Sequence, residues 1–241
     1  MCYHKQDRAL EKNLVERYKA TMHDAYEPKF YESGFSHLAS PAVTSENPAV
    51  FKSLTWGLIP FWIKTMEDAL QIRDRTLNCI SEEAFEKPSF RNAIRERRCL
   101  IPCTGFFEWR WVDGGKRKYP YFIQTNDFIF SLAGIWSEWT DRTTGETLST
   151  YSVLTTKANG LMEKIHNHKK RMPVILPQEF EKDWLNPNLT KDDVMALCQP
   201  YDDKKMKAWT ISKAISAKTG PKNTEHIFQP FEYPELALLD G

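Results

Sequence analysis

Residues 99–156 constrain the fold more than any other part of the chain. They run CLIPCTGFFEWRW, DGGKRK, YPYFIQ, IFSLAGIWSEW, TDRTTGE and STYSVLTT, so that aromatic and β-branched stretches alternate with breaks rich in Gly, Asp, Thr and Lys. That alternation reads as successive antiparallel strands with turns between them. A sheet must bury at least one face against something. With 241 residues, 41% of them hydrophobic, the chain carries enough apolar surface to build that core.

The flanking segments supply the cover. Asp7 is placed to cap a helix reaching about Met22, because Leu10, Leu14, Val15, Tyr18 and Met22 share one helical face. Residues 49–59 (AVFKSLTWGLI) read as a strand and 88–98 (PSFRNAIRERR) as a short cationic helix. Two short helices are expected at PQEFEKDWL and KDDVMALC, a strand at MKAWTIS, and an irregular, partly packed tail over 218–241. No repeat or linker divides the chain. The expectation is one α+β domain over 1–241, built on a curved, mainly antiparallel, barrel-like sheet flanked by helices.

Several function classes fall away. No stretch approaches the roughly 18 apolar residues that span a bilayer, and the polar start has no signal-peptide core, so no membrane is expected and the cytoplasm is the expected compartment. Five cysteines, an odd number, read as reduced thiols rather than a disulfide framework. Ten glycines include no GxGxxG or Walker pattern, which argues against nucleotide-dependent chemistry. Cys99-x3-Cys103 with Cys79 and a histidine matches no familiar zinc module, so no metal is expected. The net charge is +1, yet RNAIRERR (91–98), KRK (116–118) and KKR (169–171) concentrate cations that could face phosphates or merely be solvated.

The residues that could carry chemistry begin at Cys2. If Met1 is removed, an α-amine and a thiol sit on adjacent carbons. An α-amine with a pKa near 8 is neutral in roughly one molecule in ten at pH 7, against about one in 2,500 for a lysine. Such an amine condenses with an aldehyde, and the neighbouring thiol can then close a five-membered thiazolidine ring. Glu108 sits among aromatics in GFFEW, where burial would raise its pKa and suit it to acid–base work, though a solvent-facing strand glutamate is an equal reading. His166 and His168 stand beside a cationic cluster and are either proton shuttles or structural histidines. Asn78 in TLNCISEE could orient an amine, or serve a turn. In WGLIPFW, Phe61 or Trp62 would stack on a nucleobase if exposed and fill the core if not.

Met-Cys at the start, WGLIPFW, the Asn78 segment, EKPSFRNAIRERRCLIP, GFFEW, FSLAGIW, SVLTTKAN and IH followed by RMPVILP occur in an order that resembles the SOS-response-associated peptidase family, also called abasic-site processing proteins. The resemblance is strongest over residues 2–186. It implies a single α+β domain that binds single-stranded DNA containing abasic sites and captures the open-chain aldehyde through the amino-terminal cysteine as a thiazolidine, shielding the lesion. It implies catalytic roles for Cys2, Asn78, Glu108 and His166: Asn78 positions the amine or sugar, Glu108 assists ring opening and imine formation, and His166 protonates the sugar oxygen and assists reversal. It places Trp62 and Phe61 beside the lesion and Arg171 on a phosphate, and implies no cofactor, a monomer, and self-release of Met1. The chain departs from the family where MCGR and NARAET are customary: Tyr3, His4 and Ile80 stand there instead, leaving His4, Lys5, Arg73 and Arg75 as replacement cations. IHNHKKRMP carries three extra residues, and ESGFSH (32–37) replaces Asn-Val-Ala-Pro. Two other readings remain: an amino-terminal-cysteine amidohydrolase or protease acting on proteins, and a noncovalent module for single-stranded or damaged DNA.

Overall fold

In the computed structural model, which describes residues 2–236, the amino-terminal half lays down β1 (His4–Asp7), α1 (Glu11–Tyr18), β2 (Lys29–Ser33), β3 (Ala39–Thr44), β4 (Lys52–Trp56), α2 (Met66–Arg73), β5 (Asn78–Ile80) and α3 (Ala93–Glu96). The aromatic centre supplies β6 (Arg98–Cys103), β7 (Gly105–Val112), β8 (Arg117–Thr125), β9 (Phe130–Thr140) and β10 (Thr147–Lys157). After it come α4 (Gly160–Ile165), β11 (Arg171–Pro173), β12 (Ile175–Leu176), α5 (Glu181–Leu185), α6 (Lys191–Leu197) and β13 (Met206–Thr210).

The architecture is α+β, and its sheet closes on itself. β10 pairs with β4, β4 with β3, β3 with β6, β6 with β9, and β9 returns to β10, a five-stranded barrel without a free edge. It is mixed, because β4 and β5 both run parallel to β10. Trp56, stacked on Tyr151 with centroids 5.8 Å apart, helps fill one buried cluster with Leu54, Leu132 and Trp136. A second sheet, β13-β8-β7-β1-β2, is antiparallel throughout.

The predicted run of neighbouring strands is thus split. β7–β8 and β9–β10 are hairpins, but β6 and β7 belong to different sheets although only Thr104 separates them. The crossing is made possible by Gly105, where a Cβ would lie 2.1 Å from the Phe122 ring. Two local expectations also change. Asp7 ends β1 instead of capping a helix, and α1 begins at Glu11 after Leu10, which makes no side-chain cap. The polar start is a strand because its charges are satisfied inside: Lys5 Nζ lies 3.0 Å from Glu32 and also donates to Ser40. Of 88–98, only Ala93–Glu96 is α-helical; Arg98 is a buried strand residue whose guanidinium donates to the carbonyls of Ile94 (2.7 Å) and Trp184 (2.8 Å). No helix among the described residues is long and apolar enough to cross a membrane.

Candidate active site

β1 enters the second sheet between β2 and β7, which sets the residues just before it against Glu108 on β7. A concavity of about 500 Å³ opens there, lined by Tyr3, His4, Glu108, Trp109 and His166. Cys2 lies beneath it, buried in the core cluster, with Sγ 3.8 Å from the His4 carbonyl. Burial, reinforced by the charges of Glu108 and Cys103, pushes the Cys2 thiol far above its ordinary range.

His166 arrives from a distant segment. Asn159 caps α4 by accepting from the Met162 amide (2.9 Å) and donates to the Tyr201 carbonyl (2.7 Å), and six residues of helix then end on His166. The Arg171 carbonyl, 2.7 Å from Nδ1, can only accept, so Nδ1 carries the proton and Nε2 presents a lone pair toward Glu108, 3.8 Å away. Burial lowers the imidazole to about 4 and raises the Glu108 carboxyl to about 7. The pair therefore rests near neutrality as a neutral imidazole facing a carboxyl that is half protonated.

Asn78 opens β5 beside Val153 of β10. Both its Oδ1 and Nδ2 are buried without a hydrogen-bond partner among the described residues, an expensive state unless a ligand completes it.

The remaining sequence candidates scatter. Phe61 and Trp62 are 61% and 45% exposed and line a different concavity, about 390 Å³, with Pro88, Arg97 and Trp136. It shares no lining residue with the Glu108 concavity. Arg171 grips Glu82 through two hydrogen bonds of 2.7 and 2.8 Å, and that pairing holds the Glu82 carboxyl down at about 2. His4 lines the Glu108 concavity, but as a ring stacked on Tyr31 and edge-on to Trp109, lowered to about 4 by burial and Lys222. Arg75 is exposed beyond α2, whereas Lys5 is sealed in the interior. His168 is exposed and stacks on Trp111, so of the two histidines it is His166 that meets Glu108. Tyr3, which the sequence marks only as a departure from MCGR, and Trp109 also line the concavity; adjacency to Cys2 and Glu108 is the signal the sequence offers for them. Among the described residues no three His, Cys, Asp or Glu side chains gather in a metal-binding group.

The family model for the SOS response associated peptidase (SRAP) matches residues 1–218. The abasic site processing protein YoqW of Bacillus subtilis (strain 168) is 41% identical over 172 residues, which cover 70% of this chain and 71% of that protein. The abasic site processing protein HMCES of Gallus gallus is 29% identical over 187 residues, covering 69% of this chain and 54% of its own length. A crystal structure from Bacteroides thetaiotaomicron matches with a TM-score of 0.90 at 38% identity, covering 96% of this chain and 100% of that one. A second, from Bordetella bronchiseptica, shares the fold with a TM-score of 0.76 at 24% identity, covering 88% and 100%.

Proposed function

Because this chain belongs to the SOS response associated peptidase family, we propose that it processes abasic sites in DNA, holding the lesion in a single strand and capturing its aldehyde through Cys2. The observation that carries the proposal is that Glu108 and His166, from distant stretches of chain, line one concavity next to Tyr3, with Cys2 buried close enough for the Glu108 charge to act on its thiol and the acid poised at about 7.

The chemistry follows in balanced steps once Met1, which lies outside the described residues, has been removed. The Cys2 amine attacks C1′ of the open sugar, the carbinolamine hydroxyl leaves as water with a proton from Glu108, and the resulting iminium returns its N–H proton to the Glu108 carboxylate to give an imine. The Cys2 thiol then adds across the C=N bond, its proton passing to the nitrogen by way of Glu108 or His166, and the product is a thiazolidine. The amine leads because burial keeps the thiol protonated. Glu108, rather than His166, is the acid, since an imidazole lowered to about 4 is a neutral base at physiological pH. The unpartnered amide of Asn78 suits a hydrogen bond to the sugar or the amine. A protonated, buried thiol is poorly prepared for the cysteine–histidine hydrolysis of peptides, which disfavours the protease reading. The noncovalent module would leave the poised acid without a task.

The test is denaturing electrophoresis with intact mass, mixing Met1-free protein with a single-stranded oligonucleotide bearing one abasic site. Capture yields a heat-stable band at the mass of protein plus DNA minus one water, absent in Cys2→Ser. No band from protein shown by mass to lack Met1 overturns the proposal.

A further inference from the structure

Two cationic runs about fifty residues apart in sequence, KRK at 116–118 and KKR at 169–171, meet at the rim of the Glu108 concavity, where Lys118 and Lys169 both line its wall. β1 pairs with β7 only at Gly105 and Phe106, so that edge of β7 is left to other partners further along. The loop after α4 closes it at Trp111. Asn167 accepts from the Trp111 amide (3.0 Å) and donates to the Trp111 carbonyl (2.7 Å), which mimics a strand neighbour. That clamp lays His168 flat on the Trp111 indole, centroids 4.0 Å apart and 9° between planes, while Lys118 Nζ sits 4.0 Å from the same ring's centroid. Asn167, His168 and Lys169 fall within the segment where this chain is longer than the IH-x-RMP motif it resembles.

The arginines of the two runs are already engaged, Arg117 by Asp113 (2.6 Å) and Arg171 by Glu82. Lys118 and Lys169 form no ion pair with a carboxylate among the described residues, and both line the concavity. Resting on the capture reading above, we propose that Lys118 and Lys169, braced by the Trp111–His168 stack, form a phosphate subsite that holds one phosphodiester of the strand next to the abasic sugar. Compact ammonium groups on a braced rim suit a phosphate, and a contact of this kind sets the position of the strand without reading its bases.

The test uses a single-stranded oligonucleotide carrying a tetrahydrofuran residue, which has no aldehyde and reports binding alone. Anisotropy titrations from 50 to 200 mM salt compare the wild type, Lys118→Ala/Lys169→Ala, and a control, Lys12→Ala/Lys204→Ala. Each single-strand phosphate neutralised contributes about 0.7 to the slope of log affinity against log salt, so the first variant, which gives up one phosphodiester, should lose about 0.7 of slope, roughly a 2.6-fold smaller loss across that range, and the control should lose none. A neutral methylphosphonate walked along the linkages flanking the lesion should weaken the wild type at one position and leave the double variant unmoved there. Coincident slopes, or equal methylphosphonate effects in both proteins, overturn the subsite. If the wild type nevertheless crosslinks an aldehyde-bearing strand, the capture reading stands; if it neither binds nor crosslinks, both fall.

Discussion

The pH dependence of capture tests the assignment of Glu108 as the acid. Two fractions must coincide, a free Cys2 amine with a reference pKa of about 8 and a protonated Glu108 raised to about 7. Their product peaks near pH 7.5, where each fraction is about a quarter, and falls about sixfold by pH 6 or pH 9. With an ordinary carboxyl near 4.5 the peak would move to about pH 6.3 and the competent fraction would drop by about two orders of magnitude, so burial of Glu108 is what places the optimum near neutrality. Glu108→Gln keeps the shape and a donor but has no proton to give. It should slow capture by about 10²–10⁴ and remove the alkaline fall, leaving a rate that rises and levels off near pH 8. The assay is single-turnover quenching from pH 5.5 to 9 with crosslink quantified on denaturing gels. A wild-type rate still climbing at pH 9, or a Glu108→Gln rate within about threefold of wild type, would refute the reasoning.

Replacing the unpartnered amide in Asn78→Leu should slow capture while raising stability by up to about 1–3 kcal/mol in urea unfolding; a clear loss of stability would mean that the amide is paired. Gly105→Ala should lose about 1–3 kcal/mol because its Cβ meets Phe122 and the Ile123 carbonyl, read as a lower Tm. Asp7 is buried and its carboxyl is raised from 3.8 to about 6, chiefly by burial, so folding favours its neutral form: the associated stability is complete below 3.8 and lost as pH rises through 6. Asp7→Asn should therefore gain up to about 3 kcal/mol at pH 7.5 and nothing below pH 4, checked by unfolding at both.

Features that depend on near neighbours along the chain were legible before any folding was known. Aromatic runs broken by turn residues located β7 to β10, and Thr190 with Asp193 forms the capping box that starts α6 where KDDVMALC was expected to be helical. The linked order of motifs identified the family, and Cys2 announced its chemistry through two groups on adjacent atoms. Tertiary structure decided everything that depends on what lies across the fold. Lys5 and Arg98 look like surface cations in sequence but are interior residues, because Glu32 and a set of carbonyls satisfy them there. Asp7, a plausible cap, is claimed by a strand, since the pairing of β1 with β2 and β7 outweighs a local preference. Closure of the barrel through β9 and β10, and the parallel placement of β5 that seats Asn78, come from long-range register that no window of residues contains. The acidity of Glu108 and the neutrality of His166 belong to neither segment alone: a pKa is set by the water that folding removes and the charges it brings near, and both are properties of the assembled site.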